Sequence, residues 1–392
     1  MLSYSQALGV LRERIVPIRK MVRLPLEESM GHALAEPIIA PEPNPRFDNS
    51  AVDGYAIGSV EDSTEGMSLE IQGHIAAGGV FREAIRPHSV VRILTGAPVP
   101  AGTYGIAMQE DVVLDGNSVI LRQSVPNRQF IRRQGSDFQA GEVLAPAGTV
   151  VDAGVSAQLA FVGVVRPSVF RQPLVSILTT GDEIVDPSQI PGPSQIRDTN
   201  SVMLQMQVLQ TCGACPTVIR VADDRELFKE TLSRTAGRSD LVIISGGASV
   251  GDKDFLDGIM RELGTVHFHG VSIRPGKPIL FGQIGSCFVF GLPGNPASAY
   301  VCFEIFVREA IRRLAGWLTP EPRWVDCTIG FDHKACGRED FVRIRRDGPR
   351  VVEMGQQGSF GINSLATAHG LLMLSATEDR LVGSQERVLW LG

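Results

Sequence analysis

Three glycine-bearing turns follow apolar runs in the middle of the chain. They are Thr179-Thr180-Gly181-Asp182-Glu183, Ser245-Gly246-Gly247-Ala248-Ser249-Val250-Gly251 and Gly291-Leu292-Pro293-Gly294-Asn295-Pro296. Glycine lets backbone N–H groups come close to an anion, and the start of a following helix adds positive potential. A phosphate-bearing ligand is the natural match. Each turn alone reads equally as a tight strand-to-helix connection. The second has neither the lysine of a phosphate-binding P-loop nor GxGxxG spacing. Acidic residues crowd the same turns, at Asp182, Glu183, Asp198, Asp223, Asp224, Asp252 and Asp254. Around a phosphate, such oxygen donors suit a divalent cation, most often Mg²⁺. Helix capping and solvated loops are the competing reading, and for Asp223 and Asp224, just ahead of a helix, both stand. Arg274 and Lys277 lie in RPGKP, whose prolines stiffen the loop enough to aim two cations at an oxyanion. A solvated surface loop is the alternative.

Other chemistry-bearing groups read as structural. Cys212-Gly-Ala-Cys215 has redox spacing but follows a helix instead of opening one, and it lacks the second pair of a zinc site. His267 and His269 share a strand face with no third ligand in sight. No HExxH and no GxSxG occurs. The formal charge of −6 makes no general case for a nucleic-acid backbone as partner. The first residues lack a signal-peptide pattern, and no apolar run approaches a membrane span of about 18 residues. The expectation is a soluble cytoplasmic protein.

These residues need a scaffold, and the pattern supplies one. At roughly 150 residues per domain, 392 residues imply two to four domains. With 43% hydrophobic and 20% charged residues, there is ample material for buried cores. A first helix is expected with Ser3 or Ser5 as cap and Ala7, Leu8, Leu11, Ile15 and Ile18 on one side. A short helix is expected over residues 26–34, and Pro37, Pro41, Pro43 and Pro45 then make a stiff connector. Residues 55–151 alternate in short runs, with Asp115-Gly116-Asn117 as a hairpin signal, and read as a β domain. A helix is expected over 153–164. From 169 to 313 strands and helices alternate, which predicts a largely parallel sheet with helices on both faces. Within it, helices are expected over 199–211, capped by Thr199 or Asn200, over 225–236 and over 296–315. After Pro320, five short β runs predict a small barrel or sandwich.

The motifs together resemble one family, the molybdopterin molybdotransferases (the MoeA and gephyrin E-domain family). The residues that carry the resemblance are FDNSAVDGYA (47–56), RILTGAPVPAG (92–102), MQED (108–111), TTGDE (179–183), QIRDTN (195–200), SGGASVGDKDF (245–255), RPGKP (274–278) and GLPGNPAS (291–298). They fall in the family's order over nearly the whole chain. The resemblance implies a multidomain α/β plus β protein. Its parts would be a split connector (1–46 and 141–168), a β-rich domain (47–140), a central α/β molybdopterin-binding domain (169–318) and a C-terminal β-barrel (319–392). It implies a homodimer that inserts molybdate into adenylylated molybdopterin and releases AMP with Mg²⁺. Handover from a molybdopterin adenylyltransferase and to molybdoenzyme chaperones is implied as well, with no nucleic acid or membrane partner.

The resemblance also assigns residues. Asp53, Glu183, Asp223 and Asp254 would be catalytic, the last three also at the metal. Thr95, Thr180, Gly181, Ser245, Gly246, Gly247, Ser249, Gly251, Lys277, Pro293 and Pro296 would bind the substrate. Arg274, Lys277, Ser298, Arg343 and Ser359 would hold molybdate. Asp53 and Thr95, from the β domain, would complete the cleft, with the other subunit of the dimer as one source. The sequence departs from the family at Tyr104-Gly105, at Gly270 where some relatives carry lysine, and at Arg274 where lysine is more frequent. Two other classes stand beside this one: a non-catalytic molybdopterin carrier or scaffold of the same fold, and a nucleotide-dependent enzyme on a Rossmann-like sheet.

Overall fold

Ser3 begins the first ordered element. Its hydroxyl accepts the Gln6 N–H, and Gln6 returns its side-chain oxygen to the Ser3 N–H at 2.9 Å, a reciprocal cap on helix α1 (Tyr4–Arg14). Tyr4, Ala7, Leu8 and Leu11 are its buried face. The computed structural model describes residues 1–76, 78–212, 214–246 and 253–391, without the side chains of residues 253–255. It divides into two compact units: residues 1–36, 147–157 and 164–392, and residues 37–146 with 158–163. The helix expected over 26–34 is only a turn at Leu26–Glu28, because Ala33 and Leu34 leave it to bridge to Val150 and Val169.

The second unit is built on one sheet of β1 (Gly54–Ile57), β2 (Ser68–Ile75), β3 (Ser89–Ile93), β4 (Gly105–Met108), β5 (Val112–Asp115) and β6 (Ser118–Leu121), ordered β4-β1-β3-β2-β6-β5. The Gly116-Asn117 hairpin joins β5 to β6 as its sequence predicts. Gly105 has a steric reason: a Cβ there would sit 2.7 Å from the Pro126 carbonyl oxygen. Helix α2 (Ala153–Phe161) follows, with Asp152 accepting the Val155 N–H at 2.8 Å.

In the first unit the alternation of strands and helices gives β7 (Val175–Thr180), α3 (Thr199–Cys212), β8 (Thr217–Val221), α4 (Arg225–Ala236), β9 (Leu241–Ser245), α5 (Lys253–Leu263), β10 (Thr265–His269), β11 (Ile273–Arg274), β12 (Leu280–Ile284) and β13 (Cys287–Leu292). The main sheet runs β8-β7-β9-β13-β12-β10. The first four strands are parallel and the last two antiparallel. β7, β9 and β13 are buried along their whole length, as central parallel strands covered on both faces must be. One face packs α1, α3 and the helix after β13; the other packs α4 and α5. The helix expected over 296–315 is three pieces: α6 (Pro296–Cys302), a π-helical turn (Phe303–Val307) and α7 (Arg308–Leu314). The wide turn carries Glu304 inward, where Gln207 and Arg308 donate to its carboxylate at 2.7 Å.

The C-terminal strands are β14 (Trp324–Ile329), β15 (Glu339–Asp347), β16 (Arg350–Glu353), β17 (Gly370–Leu374) and β18 (Gln385–Trp390), with a short helix α8 (Ile362–Thr367) between β16 and β17. They follow one another as β15-β16-β14-β18-β17, and β17 returns to β15, so the barrel closes. β11 attaches to it in parallel, with Arg274 in register with Asp340. Among the described residues no helix is long and apolar enough to cross a membrane.

Candidate active site

The chain order fixes where a ligand can enter the α/β sheet. From β7 the chain crosses through α3 to β8 on one side, then through α4 to β9 on the other. This reversal opens a crevice at the carboxyl ends of β7 and β9, where open α/β sheets take their ligands. Thr180-Gly181 and Ser245-Gly246 are those ends. A cleft of about 380 Å³ lies there, lined among others by Glu183, Asn200, Gly246, Pro293, Pro296 and Ser298. A recess of about 260 Å³ formed by Thr180, Gly181, Asp182 and Arg220 shares Ile184 with it. A larger cavity of about 970 Å³ lies by Tyr300, Glu304 and Arg308. Its Glu304 and Arg308 are already paired with each other, so size does not locate the site.

Gly246 sits at φ +100°, and a Cβ on it would overlap the carbonyl oxygen of Thr180. Only a bare backbone lets the two strand ends close up. Gly246→Ala is expected to cost between about 2 and 5 kcal/mol through strain and overlap. An unchanged denaturant midpoint would show that this turn shifts at no cost.

Asp223 is drawn into the site. The Thr180 hydroxyl donates to its carboxylate, and so does the Asp182 N–H at 3.3 Å. Glu183 folds back over Gly181, its carboxylate oxygens 2.8 and 2.9 Å from where a Cβ would stand. Two carboxylates therefore hang on one three-residue turn. Asp224 is instead the cap of α4, accepting the Leu227 N–H at 2.8 Å. Asp198 is buried, accepts the Ser201 N–H at 2.9 Å and pairs with Arg220 at 3.0 Å. It, and not Thr199 or Asn200, caps α3.

Asn200, expected as a cap, instead lines the cleft. Its amide donates at 2.8 Å both to the Ser245 hydroxyl and to the Gly294 carbonyl, tying the second and third turns together. Its own carbonyl oxygen is buried with no partner among the described residues. A side-chain amide beside two glycine turns was the available signal.

The cations divide. Lys277 is exposed and has no ion pair among the described residues. Arg274 is paired with Asp340 of the barrel, which raises its pKa. Arg343 does not present a solvent-facing charge. It is fully buried, donating to the Ser364 hydroxyl at 2.8 Å and to the Gln356 and Gly358 carbonyls at 2.9 and 3.0 Å. It thereby shapes the loop that carries Ser359. That loop reaches the cleft: Asn295 donates to the Ser359 hydroxyl at 3.0 Å, and the Ala297 N–H donates to the Ser359 carbonyl at 3.0 Å. Gly247, Ser249, Gly251 and Asp252 lie outside the described residues, as does the side chain of Asp254.

In the second unit the Thr95 N–H and hydroxyl donate to one oxygen of Asp53 at 2.7 and 2.8 Å. These bonds hold the carboxyl below its ordinary range. Of the cysteine pair, Cys212 is buried, and burial pushes its thiol up, the wrong direction for a redox thiolate. His267 packs on Phe281 and His269 lies 3.3 Å from Asp257. Among the described residues no three His, Cys, Asp or Glu are grouped to hold a metal by themselves.

Residues 2–163 match the MoeA N-terminal region (domain I and II), and residues 176–313 match a probable molybdopterin binding domain. A molybdopterin molybdenumtransferase of Haemophilus influenzae is 34% identical over 95% of this chain and 94% of its own. One from Staphylococcus epidermidis is 31% identical over 95% and 91%. The chain belongs to the molybdopterin molybdenumtransferase family. The crystal structure of a molybdopterin biosynthesis MoeA protein from Pyrococcus horikoshii matches over 100% of both chains with a TM-score of 0.86 at 28% identity. As a molybdopterin molybdenumtransferase the chain is a transferase of molybdenum cofactor biosynthesis, and its crevice turns sit in the molybdopterin-binding stretch. Membership removes the Rossmann-type nucleotide enzyme from consideration.

Proposed function

We propose that this transferase inserts molybdate into the dithiolene of adenylylated molybdopterin and cleaves the pyrophosphate link, releasing AMP. The observation that carries this is the crevice itself: glycine-walled turns able to face phosphates, with Glu183 on the first turn and Asp223, from the end of β8, hydrogen-bonded to that turn. Gly246 and the turn at 293–296 offer backbone to the phosphates. Asn200 fixes the spacing of those turns. Lys277, Arg274 and Ser298 are the donors for the tetrahedral dianion, with Ser359 seated against Asn295 beside them. Asp53, held ionised by Thr95, is assigned to the reaction as well.

Mg²⁺ fits the donor set. It accepts one or two carboxylates and completes its shell with phosphate oxygens and water, so a full protein cage is not required. Glu183 and Asp223 would hold it, with Asp254, and it would neutralise charge on the pyrophosphate. A homodimer belongs to this reading. Val202, Met206 and Leu209 are each at least 40% exposed along one stripe of α3, an apolar surface of the sort a protein interface covers. Cytoplasmic placement belongs to the reading too and rests on composition. Exchange with a molybdopterin adenylyltransferase and with molybdoenzyme chaperones is part of the same reading, through the family resemblance.

The test supplies purified chain with adenylylated molybdopterin, molybdate and Mg²⁺. AMP release with formation of active cofactor is expected. Tight pterin binding without AMP would instead support a carrier.

A further inference from the structure

We propose that Asp340, on the barrel strand β15, is a positioning residue that aims Arg274 at the oxyanion. This rests on the reading of Arg274 as an oxyanion donor. Asp340 has only 4% of its side chain exposed, and a buried carboxylate needs a cation. The Arg274 guanidinium supplies it through Nη2, and His333 Nε2 lies 3.4 Å away on the same oxygen. Arg274 itself stays 45% exposed, and its Nε and Nη1 have no partner among the described residues. One nitrogen of the half-exposed guanidinium is thus pinned, and the other two are left uncommitted among the described residues. β11 and β15 pair in parallel with Arg274 opposite Asp340, so the strand ladder sets the place from which the side chain reaches. A guanidinium can do this because its donors form a planar fork. An ammonium is a point charge, and its contact with Asp340 would draw it off the ligand. The barrel meets the crevice lining through Ser359 on Asn295, and through Asp340 it holds Arg274.

Molybdate-dependent AMP release by the full chain, with saturating adenylylated molybdopterin, tests this in Asp340→Asn, Arg274→Met and the double variant. Asp340→Asn should raise the molybdate KM about tenfold, the worth of one charge-assisted contact, with kcat within about twofold. The double variant should be no worse than Arg274→Met alone. If Arg274→Met raises KM and Asp340→Asn does not, the positioning role is wrong and the oxyanion reading survives. The role is equally wrong if Asp340→Asn raises KM further in the Arg274→Met background. If Arg274→Met leaves KM unchanged, or the wild-type chain shows no molybdate-dependent turnover, the oxyanion reading and this inference fall together. Should Asp340→Asn not fold, Arg274→Lys decides: it keeps the charge without the fork, so a wild-type molybdate KM would overturn the proposal.

Discussion

Asp223→Asn should lower AMP release about a hundredfold while leaving the thermal midpoint nearly unchanged. Asparagine keeps the shape but not the charge. One of its ends accepts from the Thr180 hydroxyl, and the other then points an amide at the Asp182 N–H, which also donates. The turn loses its second anchor, and the site loses one of the carboxylates proposed for the cation. A hundredfold corresponds to about 2.7 kcal/mol of barrier, a modest share of what a metal-assisted cleavage draws on. Residue 223 is exposed, so folding should register little. Added Mg²⁺ should restore part of the rate if Asp223 is a ligand. The neighbouring residue is the control. Asp224→Asn only alters the cap on α4, where aspartate and asparagine are nearly equal, so turnover should stay normal. Normal turnover in Asp223→Asn, or a larger loss in Asp224→Asn, would reverse these assignments.

That contrast shows what local sequence carries and what it does not. Asp223 and Asp224 share one local environment, a strand end before a helix, and both readings stood for each. Tertiary placement separates them, because the partner of Asp223 is a threonine on another strand. Elements whose signal is local were legible: the Ser3 cap, the Gly116-Asn117 hairpin, α4 and the five barrel strands. The π-helical turn was not, since the apolar pattern of 296–315 continues through it and its polar centre, Glu304, answers to Gln207 on another helix. Asp340 was invisible for the same reason. In DFVRI it looks like an edge-strand acid, and its counterion is 66 residues away. Asn200 reads as a cap from its type and place at the start of α3, but Asp198, two residues earlier, takes that role through the Ser201 N–H. The crevice turns themselves were legible because glycine and proline mark backbone geometry directly.

Arg343→Ala should destabilise the chain by about 3–5 kcal/mol and disorder the Ser359 loop. Two effects oppose each other. A buried guanidinium without a carboxylate hydrogen-bonded to it is costly, and burial pushes its pKa down, so removing the charge gives some stability back. Against this, alanine leaves a large void and strips donors from Ser364, Gln356 and Gly358. Each buried acceptor left bare costs about 1–3 kcal/mol, and truncating a large core side chain costs about as much again. Loss outweighs relief because three acceptors depend on one group. Arg343→Met separates the parts. It fills most of the volume and removes the charge, so global stability should fall less, but the carbonyls of 356 and 358 still lose their donor. Faster amide exchange over 355–361 is expected in both variants. Because Ser359 meets Asn295 and Ala297 from that loop, the molybdate KM should rise in Arg343→Met even where the fold holds. A methionine variant with wild-type exchange in the loop and an unchanged KM would show that Arg343 is only a filler of the barrel core.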